Sequence, residues 1–225
     1  IGEQPYEQIL TAWSRLYRGL EDAFPADRYH RGKTLAHIEQ DADGASAVFQ
    51  DGERVQGDLL IGADGIRSTA RAQLMPQAVP QYAGYIAWRG LVEESVLSER
   101  AKAALMGRFS FCLPPNEQML GYPVAGSGNT IETGRRRYNF VWYRPAGEHS
   151  ELANLQTDAA GCRHEQGISP RLIRPEILDD IRQAAQQSLS PEFAEVVRKT
   201  ELLFFQPIYD LISTRMVFGR VALLC

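Results

Sequence analysis

Residues 8–24 place Ile9, Trp13, Leu16, Tyr17, Leu20 and Phe24 at helical spacing on one face, which predicts an amphipathic helix ended by Pro25, with Trp13 in the core. The pattern then changes to short alternating runs at 33–40, 45–50 and 53–56. Asp43-Gly44 and Asp51-Gly52 separate them, and Asp-Gly between alternating segments is a hairpin signal. The stretch 57–71 reads GDLLIGADGIRSTAR. Its apolar run Leu59, Leu60, Ile61, bounded by glycine and aspartate, predicts a strand buried on both faces. Ser68 is placed to cap a helix from Thr69 to Leu74, and Pro76 stops it.

After Pro76 the chain reads as strands at 82–93, 108–113, 118–125, 137–144 and 201–212. Ser95 is expected to cap a helix reaching Leu105, Pro175 to open a helix to Leu189, and Ser190-Pro191 to start another ending at Lys199. Pro207 marks the last strand as an edge or a bulge. Strands followed by helices predict one mostly antiparallel sheet with helices on one face. Residues 146–169 are polar and long for a connection, so they are expected to be partly mobile or to cover a site. Gly126-Ser127-Gly128 precedes a strand, not a helix, so it predicts a tight hairpin turn and not a dinucleotide loop.

Composition narrows the class of function. The chain has 225 residues, 44% hydrophobic and 23% charged, with a net charge of −4. That balance is ordinary for a globular protein and gives no reason to expect nucleic acid or an anionic membrane as partner. The basic run Arg135, Arg136, Arg137 reads as a solvated start of a strand. No apolar run approaches a membrane span. Cys112, Cys162 and Cys225 are scattered and odd in number, which argues for a reducing cytoplasm. Cys162 and His164 have no second pair at motif spacing, so no metal site is expected. No nucleophile–base pairing is evident, so no catalytic residue is assigned, a pattern that suits an enzyme whose cofactor does the chemistry. The position of most interest is Asp64, a carboxylate where a strand ends and a helix begins, the place where open α/β sheets hold ligands. Gly65 beside it can take positive φ and lets a ligand approach the backbone.

Asp64-Gly65 followed by Ser68 and Arg71 resembles the Asp-Gly motif of FAD-dependent aromatic hydroxylases, the class A flavoprotein monooxygenases with the para-hydroxybenzoate hydroxylase fold. YAGYIAWRGLVEE, GRRRYNFVWYRP, FFQPIYDL and MVFGRVALL extend the resemblance along nearly the whole chain, toward the dihydroxypyridine-hydroxylating branch. The resemblance implies an α/β fold: a partial Rossmann-like FAD-binding domain at 1–77, an α+β substrate domain at 78–213 built on a mostly antiparallel sheet, and a return strand at 214–225. It implies FAD and NADPH or NADH as cofactors, and hydroxylation of an electron-rich aromatic or hydroxypyridine ring by O2 through a flavin C4a-hydroperoxide. Asp64, Gly65, Arg71 and Leu35 would lie against the cofactor, Leu35 by its backbone beside the adenine. In many relatives an arginine of the first helix contacts the flavin; its place here is Trp13. Tyr122, Tyr209 and Phe111 are the candidates for touching substrate, with Trp88 and Trp142 as further aromatics of the sheet. A helix-start ion pair between Asp64 and Arg71 is the plain structural alternative. A small aromatic or heteroaromatic substrate and O2 are the expected partners, with a homodimer left open. The phosphate loop and the glycine of a following Gly-Asp pair are expected outside the chain or at Cys225, so the sequence reads as a fragment lacking both ends. A binding module that kept the sheet and lost the flavin is the alternative from another class.

Overall fold

The computed structural model describes residues 2–165 and 167–224. The chain divides into two compact units, Phe24–Tyr82 with Tyr209–Cys225, and Ile1–Ala23 with Ala83–Ile208.

In the first unit, strands β1 (Leu35–Gln40), β2 (Ala45–Phe49) and β3 (Arg54–Gly57) form an antiparallel meander, closed at the two Asp-Gly turns. Strand β4 (Leu60–Gly62) leads to helix α2 (Thr69–Leu74). β4 pairs in parallel with Val221–Leu223, which pairs in turn with Val217–Phe218. Ile38, Ala45, Ala70, Val221 and Leu223 make the core, with Leu35, Leu60, Leu74 and Phe218 against it. The side chain of Gln73 on α2 accepts from Ile38 N at 2.7 Å and donates to Ile38 O at 2.6 Å, satisfying both backbone groups of a residue on edge strand β1. Leu59 and Ile61 correct the expectation of a strand buried on both faces: they are 57% and 55% exposed. Only the Leu60 and Gly62 side of β4 meets the core, because β4 is an edge strand with cover on one face.

The second unit is built on one five-stranded sheet. β5 (Gln81–Glu93), β6 (Ser110–Cys112), β7 (Gln118–Val124), β8 (Arg137–Pro145) and β9 (Phe204–Asp210) lie in the order β6-β7-β8-β5-β9. The five predicted segments thus share one sheet, and Pro207 falls on an edge strand as expected. Helix α3 (Glu99–Leu105) is capped by Ser98, not Ser95. Ser95 lies inside a 3-10 turn, Glu94–Val96, that carries the chain off β5 before the helix can begin. The polar connection after β8 contains a π turn, Glu148–Leu152, and a short helix α4 (Ala153–Leu155). Helices α5 (Pro175–Ser188) and α6 (Pro191–Lys199) start where the prolines predict, with Ser190 Oγ accepting from Phe193 N. Gly126-Ser127-Gly128 opens a loop of 125–136 with a 3-10 turn, Ser127–Asn129, wider than the tight turn expected.

Side-chain alternation and strand register divide the sheet into two faces. On one face Trp88, Gly90, Met119, Gly121, Tyr138, Phe140 and Trp142 share rows. Tyr138 meets Phe193 of α6 with ring centroids 6.3 Å apart, so this face carries the helix layer. A side chain at Gly90 would begin 2.5 Å from Thr200 Cγ2 and 2.8 Å from the Phe140 ring. Gly90→Ala is therefore expected to lower stability by about 1–3 kcal/mol through overpacking, read as a lower urea midpoint with an unchanged slope.

Helix α1 (Trp13–Ala23) departs from expectation. It forms with its apolar stripe, but begins five residues later than the periodicity suggests and buries no residue. Trp13 is 75% exposed, stacked on Tyr17 at 5.0 Å, and does not enter the core. Periodicity specifies which side of a helix is apolar; burial needs a second surface against it.

Candidate functional site

The Asp-Gly loop is assembled by the start of α2. Ser68 is buried, and its Oγ accepts from Arg71 N at 2.8 Å. Asp64 Oδ2 accepts from Ala70 N at 3.1 Å. Two of the free N–H groups at the helix start are thereby satisfied, one by each side chain. Burial pushes the Asp64 carboxyl up, but hydrogen bonds from Ser68 and the Ala70 and Thr69 backbone outweigh it and hold the group below its ordinary range. Asp64 is thus a carboxylate near neutral pH, still exposed on its other side.

Arg71 is only 5% exposed. Its Nη1 donates to Gly65 O at 3.3 Å and its Nη2 to Ile66 O at 2.5 Å. Among the described residues no ion pair joins Asp64 and Arg71, so the helix-start salt bridge considered from sequence is not made. The guanidinium instead ties the loop carbonyls to α2, and Ser68 N donates to Gly65 O at 2.9 Å. Gly65 has φ +75°, and nothing lies within 4 Å of where its Cβ would stand. That backbone is open to a ligand. Leu35 stands at the start of β1, where the register with β2 shifts between Leu35 and His37, and its side chain packs on the core that also holds Ala70. Asp64, Gly65 and Arg71 are therefore one loop-and-helix device, with Leu35 in the same unit.

The other candidates lie on the five-stranded sheet. Register puts Phe111, Leu120, Val141 and Arg89 in one row of the face opposite the helices. Tyr122, Asn139 and Leu91 form the next row. Phe109 joins Phe111 and Tyr122, with centroid distances of 4.7 and 5.4 Å. Tyr209 stands apart from them, on edge strand β9, edge-on to Tyr82 at 5.7 Å. Within β9 it has the parity of Phe205, which packs on Trp88. Trp88 and Trp142 are both buried among the side chains of the helix-covered face. At the end of the sheet a cavity of about 390 Å³ is lined by residues including Tyr85, Gln118, Tyr143 and Arg144. Glu117, also in its lining, accepts from Trp142 Nε1 at 2.9 Å and Arg144 Nε at 2.8 Å.

Sequence spacing singled out Cys162 and His164 but not the carboxylate beside them. Asp158, Cys162 and His164 place one donor atom each within 4.8 Å of one another. Asp158 Oδ1 accepts from Ala160 and Cys162 backbone N, and Oδ2 lies 2.7 Å from His164 Nε2. The carboxylate is occupied in shaping this turn, and three donors fall short of the four of a closed zinc site. Cys225 lies outside the described residues. Among the described residues no helix is long and apolar enough to cross a membrane.

The family described as FAD binding domain-like matches residues 82–210. Along 224 residues the chain is 29% identical to 2,6-dihydroxypyridine 3-monooxygenase of Paenarthrobacter nicotinovorans, covering 100% of this chain and 55% of that protein. It is 31% identical to the FAD-dependent urate hydroxylase of Klebsiella pneumoniae, covering 72% of this chain and 45% of the relative. The solved structure of 2,6-dihydroxypyridine-3-hydroxylase from Arthrobacter nicotinovorans superposes with a TM-score of 0.84 at 29% identity, over 94% of this chain and 53% of that one. Klebsiella pneumoniae HpxO complexed with FAD and uric acid superposes with a TM-score of 0.66 at 25% identity, over 94% and 46%. The chain spans about half the length of the curated relatives it matches.

Proposed function

Because the chain belongs to the FAD binding domain-like family, we propose that it is part of an FAD-dependent monooxygenase that hydroxylates a small electron-rich aromatic or heteroaromatic ring. In that reaction NADPH or NADH supplies two electrons to O2. One oxygen atom enters the ring as a hydroxyl and the other leaves as water. The observation that carries the reading is the alignment, over the whole of this chain and 55% of the relative, with 2,6-dihydroxypyridine 3-monooxygenase. The scattered cysteines support a cytoplasmic enzyme.

The residues present fit FAD. An exposed carboxylate beside an open, positive-φ glycine suits a ligand rich in hydroxyl groups. Asp64 is exposed, and although Ala70 N and neighbouring donors of the helix start take part of its accepting capacity, its solvent side would accept from cofactor hydroxyls or from a bridging water. Arg71 would act behind it, holding the carbonyls of Gly65 and Ile66 so that the loop keeps one shape. The backbone of Leu35 would lie along the same cofactor. FAD, when bound, supplies the redox chemistry. Phe111 and Tyr122 would form an apolar floor for the substrate ring, with the Tyr122 hydroxyl available to one of its polar substituents. Tyr209 has the parity of Phe205, which packs on Trp88 of the helix-covered face, so it takes no part in this floor.

The test is oxidation of NADH and NADPH by the intact gene product loaded with FAD, with product analysed by mass. Ring hydroxylation with one atom of labelled O2 incorporated is expected for a hydroxypyridine or hydroxybenzoate in a small panel. A protein that retains FAD yet oxidises the nicotinamide equally with and without every ring compound would count against hydroxylation.

A further inference from the structure

We propose that Arg89 receives an anionic oxygen of the ring substrate, either a carboxylate or a deprotonated ring hydroxyl; this deepens the hydroxylase reading and rests on it. Arg89 lies within β5, between β8 and β9, on the face that carries Phe111 and Tyr122. Its Nε is buried and has no hydrogen-bond partner. On its own strand and on β8, the side chains that share its face around it in register are Val141, Asn139, Tyr143, Ala87 and Leu91, none of them acidic.

Other arginines drawn into the structure are matched. Arg71 serves two carbonyls, Arg136 pairs with Glu94, and Arg144 pairs with Glu117. Arg174 Nε is also unpartnered, but its Nη2 bonds Asn154 and its Nη1 stands 3.3 Å from Glu176. Arg89 thus carries a partly desolvated positive charge with no ion pair among the described residues, beside uncharged side chains of β5 and β8. A buried cation is costly unless an anion or a set of acceptors meets it. A guanidinium offers a planar fork of donors that fits a carboxylate with two parallel bonds and a single oxyanion with one or two.

The face around it selects the rest of the ligand. Val141 and Leu120 continue the Arg89 row to Phe111, and Asn139 stands between Leu91 and Tyr122. β5 and β7 are two strand spacings apart, about 10 Å, which leaves room for one aromatic ring between Arg89 and Tyr122. An apolar floor with a few placed polar groups is the usual make-up of a small-ligand site. The ligand class is therefore a single planar ring with an anionic oxygen at one end.

The test uses the intact FAD-loaded protein with benzoate, 4-nitrophenolate and the neutral benzamide, followed by calorimetry and melting temperature. Wild type is expected to bind at least one anion and to melt higher in its presence, with benzamide far weaker. Preference for benzoate marks the carboxylate as the anchor; preference for 4-nitrophenolate marks the ring oxygen. Arg89→Met should weaken the anion on the order of tenfold to a hundredfold, keep its FAD absorbance, and melt at the same temperature as wild type or above it. Arg89→Lys should retain part of the affinity. The proposal is overturned if wild type binds none of the probes or binds benzamide as well as the anions. It is equally overturned if Arg89→Met binds anions as wild type does, whatever its melting temperature. Failure of the hydroxylase reading itself would show separately, as a wild-type protein that neither holds FAD nor couples nicotinamide oxidation to hydroxylation.

Discussion

Glu94→Ala is expected to lower unfolding free energy by about 2–4 kcal/mol, below the cost of breaking a fully buried ion pair because Arg136 keeps some contact with water. Glu94 sits in the turn that follows β5 and is 2% exposed. Its Oε2 accepts from Gly134 N at 2.8 Å and from Arg136 Nε at 2.9 Å, and its Oε1 from Arg136 Nη2 at 2.8 Å. One carboxylate therefore holds the end of the loop before β8 and the guanidinium beside it. Alanine would leave the Gly134 N–H and the Arg136 guanidinium, itself partly exposed, without this acceptor. Glu94→Gln keeps an acceptor and removes the charge, so its cost should be smaller, about 1–3 kcal/mol. Urea unfolding of the three proteins checks this, with equal slopes required for the comparison. An alanine variant with a wild-type midpoint would mean that the pair behaves as an exposed one.

The same pair predicts an acid limb. The hydrogen bonds from Arg136 hold the Glu94 carboxyl below its ordinary value of 4.5, against burial, which pushes it up; the Gly134 N–H adds to the lowering. A carboxyl depressed on folding contributes stability that is complete above its unfolded value. That contribution is lost as pH falls through the lower, folded value. Stability of wild type should therefore fall from about pH 4.5 downward more steeply than that of Glu94→Ala, which has already lost the contribution.

Asp64→Ala should lower flavin-dependent turnover on the order of a hundredfold in the intact enzyme, the effect of misplacing a reacting group by about 1 Å. The effect on folding should be modest. Asp64 caps the start of α2, accepting from Ala70 N, and the loss of a cap typically costs about 1 kcal/mol. Ser68 still serves Arg71 N, and Arg71 still ties Gly65 and Ile66, so the loop keeps most of its supports. Asp64 is exposed, and its removal opens no apolar cavity. Asp64→Asn retains an acceptor for Ala70 N and should fold as wild type does, with turnover intermediate. Melting temperature and steady-state NAD(P)H oxidation at saturating FAD separate the two roles. Normal turnover in the alanine variant would leave Asp64 as a helix cap alone. A variant that does not fold would show that the carboxylate carries more of the loop than one bond.

What the sequence determined by itself is what near neighbours encode. Ser68 before Thr69–Leu74, Pro175, and Ser190-Pro191 each mark a helix start because a cap or a fixed φ acts within one turn. The five alternating segments that make one sheet are legible for the same reason, since alternation is a property of each strand alone. The Asp-Gly loop was legible too, as a local order of residues. Only the tertiary structure decided which apolar positions are covered. Leu59, Ile61 and the stripe of α1 have the composition of buried elements, yet no surface among the described residues covers them, because burial depends on a second surface that no local pattern specifies. It also decided the partners of charges and amides. Arg136 reads as part of a solvated basic run until the fold brings in Glu94, 42 residues away, and Gln73 finds Ile38 across 35. Ser98 displaces Ser95 as a cap because the turn leaving β5 uses the earlier residues. Arg89 differs from these in kind: its place in β5 is readable from alternation, but that no acid among the described residues pairs with it emerges only when strands distant in sequence are set side by side.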